Sequence, residues 1–215
     1  NDEQKKAVVA TDGPIIILAG AGSGKTRVLT YKIAYLIKEK SVTPQNILAV
    51  TFTNKTAHEM KERIQKVISN YTPNANSYTL PVIGTFHSLC AKILRIEGKH
   101  IGLSPRFLIY DENDQLEALK EAIQKTGMSP KEMHPGSVLS TISQAKNELI
   151  DFREYAQIAQ GYFQETVANL YPIYQNILKE NQALDFDDLL METVRLFKKV
   201  PDVAQKYQDR FQYVL

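Results

Sequence analysis

Residues Ala19-Gly20-Ala21-Gly22-Ser23-Gly24-Lys25-Thr26 follow directly on the apolar run Ile15-Ile16-Ile17-Leu18. An apolar strand that breaks into glycines and restarts as a helix aims successive backbone N–H groups at one point, where an oxyanion is stabilised. In such a loop Ala21, Gly22, Ser23 and Gly24 line the phosphates. Lys25 reaches the β- and γ-phosphates, and the Thr26 hydroxyl holds Mg²⁺. Ala19 stands where this loop usually opens with Gly, a position that ends the strand and that a small residue can fill. A glycine-rich turn that binds nothing is the bland alternative; the order strand, loop, Gly-Lys-Thr, helix argues against it. The pattern predicts binding of a nucleoside triphosphate.

Hydrolysis would also need a carboxylate at the end of a neighbouring apolar strand, to hold the magnesium. Phe107-Leu108-Ile109-Tyr110 runs into Asp111-Glu112, but Asp111, with Asp114 three positions on, reads better as the cap of a following helix. The other place is after Phe211-Gln212-Tyr213-Val214-Leu215, a predicted strand that reaches the last residue. The chain is accordingly expected to stop short of its magnesium carboxylates.

The elements that must position the loop are legible from periodicity. Asn1, with Gln4 three residues later, opens a helix that ends before the turn at Asp12-Gly13-Pro14. A strand is expected over Ile15–Leu18, and Val28, Leu29, Ile33, Leu36 and Ile37 recur at helical spacing after the loop. Ile47–Phe52 is a second strand, followed by a helix from Asn54 with Met60, Ile64, Val67 and Ile68 on one face. Val82–Phe86 is a third, leading into a helix through Leu89, Ile93 and Leu94. Strands alternating with helices imply α/β architecture with a parallel sheet. After Tyr110 the pattern changes. Leu116–Ile123, Val138–Leu149 and Val167–Leu178 are amphipathic, Pro130, Pro135 and Gly161 separate them, and no strand is evident. We therefore expect an all-helical insertion at 111–183 in an α/β domain made of 1–110 and 184–215, with further helices through Leu189–Phe197 and from Pro201.

The 215 residues carry 26 Lys and Arg against 24 Asp and Glu, a net charge of +2, which permits a nucleic-acid partner without requiring one. Cys90 is the sole cysteine, which excludes an internal disulfide and suits a reducing compartment; its default role is a small buried hydrophobe. No run approaches the ~18 apolar residues of a membrane span, and the chain is expected to be cytoplasmic.

Two strand ends carry hydroxyls and an aromatic residue. In Thr51-Phe52-Thr53-Asn54 the ring could stack on a base for about 1–3 kcal/mol, with the polar side chains free to bond phosphates or bases. Taken singly, Phe52 reads as core and Asn54 as a helix cap. Thr85-Phe86-His87-Ser88 repeats the layout. Gln4, the loop with Arg27, TFTNKTAHEM, TFHSLC and LDFDDLL follow one another in this order over the whole chain. In that order and spacing the chain resembles the N-terminal part of the UvrD/Rep/PcrA-type superfamily 1 DNA helicases.

The resemblance implies a RecA-like P-loop ATPase domain, with ATP and Mg²⁺ as cofactors and single-stranded DNA and the DNA fork as partners. By position, Gln4 corresponds to the glutamine that reads the adenine edge, and Arg27 to the arginine that stacks on its face. Lys25 would be the catalytic lysine. Phe52, Thr53 and Asn54, with Thr85 and His87, correspond to the segments that grip single-stranded DNA. The helical insertion would approach the duplex, with Lys146 as a candidate contact; as a residue it reads as a surface lysine. The family places its magnesium-binding Asp-Glu pair, catalytic base, arginine fingers and second ATPase domain downstream of Leu215. The isolated 215 residues are therefore expected to bind nucleotide weakly at most, without unwinding. Two rival readings are a P-loop phosphotransferase with a helical lid and a non-catalytic nucleotide-binding module. Both leave TFTNKTAHEM and TFHS without a task.

Overall fold

The computed structural model describes residues 1–20, 22–69, 80–128 and 133–215. In chain order its elements are α1 (Asp2–Val9), α2 (Lys25–Lys38), β1 (Ile47–Thr51), α3 (Asn54–Ser69), β2 (Val82–Thr85) and α4 (Phe86–Glu97). They continue with β3 (Leu108–Ile109), α5 (Glu112–Lys125), α6 (Pro135–Asn147), α7 (Phe152–Ile158), α8 (Tyr162–Glu180) and β4 (Ala183–Leu184). Last come α9 (Phe186–Lys199), α10 (Pro201–Arg210) and β5 (Tyr213–Val214). The described residues are thus mixed α/β, with helices and two small parallel sheets. It divides into two compact units, Asn1–Ser88 with Gln205–Leu215, and Leu89–Ala204. Among the described residues no helix is long and apolar enough to cross a membrane.

In the first unit the sheet order is β2-β1-β5, all parallel. Ile47 and Ala49 on β1 have no exposed surface and pack with Ile33 and Leu36 of α2 and Met60, Ile64 and Ile68 of α3. These are the faces that the helical and strand periods predict, and at about 1.5–3 kcal/mol per buried aliphatic side chain they supply the unit's main stabilisation.

Ile15–Leu18 departs from expectation. These residues form no strand, and their exposures of 39, 86, 43 and 94% alternate in a period of two. The composition suits a strand, but a strand exists only through a ladder to a neighbour, and none of the described residues supplies one. At the other end, β5 covers Tyr213–Val214 rather than Phe211–Leu215, and Val214 is exposed. Phe211 instead stacks on Tyr207 of α10, ring centroids 6.2 Å apart. Among the described residues β2 and β5 each pair with one neighbour, β1, while Ile83, Tyr213 and Leu215 pack against the buried cluster.

The second unit is built on α5, α6 and α8, whose Leu119, Ile123, Val138, Ile142, Val167, Leu170, Tyr171 and Tyr174 are buried together. α9 packs on α6 and on the 3₁₀ turn Gly98–Ile101, so this compact unit also takes in α9 and the part of α4 beyond Ser88. The parallel pair β3–β4, with Leu108 opposite Ala183 and Ile109 opposite Leu184, brings the entry and exit of the helical segment side by side. β4 lies where no strand was expected, since two residues carry no period. Asp111 caps α5 in a reciprocal box with Asp114, which is the capping role and not a metal-ligand role. Gly161, at φ 90°, is the N-cap of α8, and Pro135 opens α6. Pro130 lies outside the described residues. Cys90 is buried, and burial pushes its thiol above the ordinary range.

Candidate nucleotide loop and nucleic-acid edge

The loop meets α2 through Gly24, which caps the helix at φ 87°, in the left-handed region where glycine carries no steric penalty. Gly22 also has a positive φ, 74°. No side chain caps this terminus. The first-turn N–H groups of α2 therefore face outward from a helix whose dipole favours an anion there. The loop is braced from within: Ser23 Oγ donates to the Gly20 carbonyl at 2.7 Å, and Lys25 Nζ donates to the carbonyls of Ala19 and Gly20 at 2.9 and 2.8 Å. The Lys25 ammonium is exposed and is held against the loop by these carbonyls. Thr26 is half-buried in the first turn, its main-chain carbonyl accepting from the Thr30 hydroxyl. Ala21 lies outside the described residues.

Gln4 is brought to the loop by α1, whose Asn1–Gln4 capping box is formed as expected. Gln4 Nε2 donates to the Ser23 carbonyl at 2.9 Å, and Oε1 accepts from the Asn1 nitrogen at 3.2 Å. An amide has two N–H donors and two acceptor lone pairs, so one of each remains for a ligand. Gln4 and Arg27 line a groove of about 230 Å³, together with Val8, Val28 and Tyr31. The Arg27 guanidinium lies 5.7 Å from the Tyr31 ring centroid, one helical turn away, which holds it over the groove.

The nucleic-acid edge follows from strand register. Because Thr51 pairs with Thr85 in a parallel ladder, the two strands end level, and the next residues, Phe52 and Phe86, become neighbours. Their ring centroids are 6.0 Å apart at an interplanar angle of 46°. Phe52 is 89% exposed and Phe86 43%, so the reading of Phe52 as core is overturned. Phe86 was not foreseen as a partner; the repeated Thr-Phe at the two strand ends was the available signal.

The caps also differ from expectation. Thr53, not Asn54, caps α3, its hydroxyl accepting from Thr56 N–H at 3.2 Å, while Asn54 is the first helical residue and exposed. Thr85 is buried. Its hydroxyl accepts from Ser88 N–H at 3.2 Å, and Ser88 Oγ accepts in return from Thr85 N–H at 2.9 Å. This reciprocal cap fixes the β2–α4 corner and engages the Thr85 hydroxyl. A Cβ on Gly84 would stand 2.7 Å from that Ser88 oxygen, which keeps the corner glycine-specific. His87 is half-buried in the first turn of α4.

Lys146 is not at the surface. Its side chain has no exposed area, and Nζ lies 2.5 Å from Asp185 and 2.8 Å from Asp188, above the rings of Tyr171 and Tyr174. Both the surface reading and the duplex contact are corrected by this burial: an ammonium enclosed by two carboxylates cannot reach a phosphate. Burial disfavours the ammonium, but the Asp188 and Asp185 charges outweigh it and hold the Lys146 pKa above the ordinary lysine value. With one cation against two acids, burial and the neighbouring Asp185 push Asp188 up to about 6, against the pull of Lys146. Tyr174 donates to Asp185 at 2.9 Å, and its hydroxyl is raised by burial and by that carboxylate. The LDFDDLL segment is thereby the capping box of α9 and the counter-charge of Lys146.

Residues 1–215 match the UvrD/REP helicase N-terminal domain. The chain is 49% identical over 214 residues to the ATP-dependent DNA helicase PcrA of Bacillus subtilis (strain 168), covering 100% of this chain and 28% of that protein. It is 45% identical to the proteins of the same name from Staphylococcus aureus (strain Mu50 / ATCC 700699) and Leuconostoc citreum, with the same coverage. The chain thus spans 28% of the length of these relatives. With the glycine loop, the paired strand ends and LDFDDLL falling within a match that runs from the first residue to the last, the chain belongs to the UvrD/REP helicase N-terminal domain family.

Proposed function

We propose that this chain is the N-terminal ATP-binding part of a DNA helicase whose full-length protein couples ATP hydrolysis to movement on single-stranded DNA and to duplex unwinding. In this reading residues 1–110 and 184–215 belong to a RecA-like P-loop domain, and 111–183 is a helical subdomain inserted in it. The adjacency of β3 and β4 supports the insertion, since it lets a segment enter and leave at one place. The remainder of the helicase chain is required for activity, and the protein acts in the cytoplasm.

Glycines with positive φ, an uncapped helix N-terminus and an exposed lysine held on the loop form a donor set that suits a triphosphate. Gly22, Ser23 and Gly24, with Ala21, would present backbone donors, and Lys25 would stabilise charge on the transferring phosphoryl group. Thr26 would contribute one oxygen to Mg²⁺, an ion that keeps most of its ligands as phosphate oxygens and waters. Bound Mg-ATP supplies the phosphoryl group whose transfer to water drives the cycle. Gln4, with one donor and one acceptor left, matches the paired acceptor and donor of an adenine edge, and Arg27 offers a guanidinium plane to its face.

The observation that carries the DNA half is the level ending of β1 and β2, which sets Phe52 beside Phe86 at an exposed edge. Phe52 would stack on a base, while Thr53, Asn54 and His87 would contact backbone or bases. Thr85 would act through the corner it caps. The test is ATP hydrolysis and fork unwinding by the full-length protein, wild type against Lys25→Ala. Loss of both by on the order of 10²-fold or more is expected from removing one charged donor at a reacting oxyanion; turnover within threefold of wild type would overturn the assignment of Lys25.

A further inference from the structure

α1 carries Gln4, and none of its eight residues is fully buried; Ala7 and Val8 are half-buried, and Val8 lines the groove with Val28 and Tyr31 of α2. It is pinned by polar contacts at both ends. At one end Gln4 Nε2 bonds the Ser23 carbonyl. At the other stands Lys32, from the middle of α2, only 5% exposed. Its ammonium donates to the carbonyl of Ala7 at 3.1 Å and to that of Ala10, the residue that caps α1. The last carbonyls of a helix have no partner within it, and a cation there is also favoured by the dipole. Burial pushes the Lys32 pKa below the usual lysine value.

We infer that Lys32 is a positioning residue for recognition of the nucleotide base. By tying the C-terminus of α1 to α2, it fixes the spacing between the two walls of the groove, Gln4 and Val8 on one side and Arg27 and Tyr31 on the other. It does not touch the nucleotide; it acts through Gln4. The tolerance is small, since a Cβ on Gly24 would lie 3.1 Å from Gln4 Nε2. This inference rests on the reading of the loop as an ATP site.

The test uses the full-length protein and reads binding, not turnover. A fluorescent ATP analogue is displaced by ATP or by GTP in wild type, Gln4→Ala, Lys32→Met and Lys32→Arg, with hydrogen exchange followed in α1 and α3. Lys32→Met should lose about tenfold in preference for ATP over GTP, as is expected of Gln4→Ala, the equivalent of about one neutral hydrogen bond. Exchange in residues 2–9 should accelerate while α3 stays protected, and Lys32→Arg should restore much of the preference. If Lys32→Met discriminates like wild type while Gln4→Ala does not, the inference is overturned and the site reading stands. Loss of protection in α3 as well would make Lys32 a general core residue and also overturn it. If Gln4→Ala leaves discrimination unchanged, the reading of Gln4 fails and the inference falls with it.

Discussion

Lys146→Met is the sharpest perturbation that this structure offers. It keeps the length and apolar stem of the side chain and removes the ammonium, together with the cation's contacts over the Tyr171 and Tyr174 rings. What remains is Asp185 and Asp188, whose side chains are 1 and 2% exposed, with no cation between them. Removing one partner of a buried ion pair is strongly destabilising, about 3–5 kcal/mol, because it leaves a buried charge uncompensated. Here two carboxylates share the single lysine, which argues for the upper half of that range at neutral pH. The chain already divides into two compact units, for which one-step unfolding is not expected, so the assay is native-state hydrogen exchange on the full-length protein. Amides of α6, α8 and α9 should exchange about three to four orders of magnitude faster than in wild type, each ~1.4 kcal/mol being a factor of ten. Amides of α3, in the other unit, should change little. At pH 5 the loss should shrink, because the stranded carboxylates can then take up protons. Protection in α6 and α9 within tenfold of wild type at pH 7 would refute the idea that this ion cluster holds the helical unit together.

Asp188→Asn tests the same cluster from the acid side. Asp188 has a folded pKa of about 6 against an ordinary value of 3.8, so between these pH values the folded state binds the extra proton. The contribution of this group to stability is therefore present at low pH and declines as pH rises through that window. The variant should flatten this decline in α9 protection, and an unchanged slope would count against it. Gly24→Ala forces a side chain into φ 87° and within 3.1 Å of Gln4 Nε2; nucleotide affinity should fall at least tenfold by titration, and wild-type affinity would contradict the loop geometry. Phe86→Ala removes the neighbour of Phe52. It should weaken single-stranded DNA binding by about 1 kcal/mol or more, read by anisotropy, whereas undiminished affinity would leave Phe52 as the sole stacking residue.

What was legible in the sequence was local. The α1 and α5 capping boxes, the apolar faces of α2 and α3 and the loop-to-helix junction at Gly24 all lie within a few residues of one another, and each formed as its period or motif predicts. What was not legible depends on residues far apart in the chain. Ile15–Leu18 has the composition of a strand, but composition cannot supply the neighbouring ladder. Lys146 reads as a surface lysine because its counter-charges are about forty residues away, at Asp185 and Asp188, and nothing in Ala145-Lys146-Asn147 announces them. The exposure of Phe52 is likewise a matter of register, visible only once Thr51 is paired with Thr85. The short helix α7 is hidden for another reason: seven residues carry little period, although Asp151 and Glu154 form the same reciprocal cap as Asp111 and Asp114.

The account rests on coupling between the glycine loop and the aromatic edge within one unit. The direct measurement is the ATPase rate of the full-length protein with and without single-stranded DNA, in wild type and Phe52→Ala. The DNA-free rate should be unchanged in the variant, since Phe52 lies on the nucleic-acid edge and not in the loop, and stimulation by DNA should fall by about tenfold at subsaturating DNA, the equivalent of one stacked base. Equal stimulation in the two proteins would contradict the account and remove this edge from the path of the DNA.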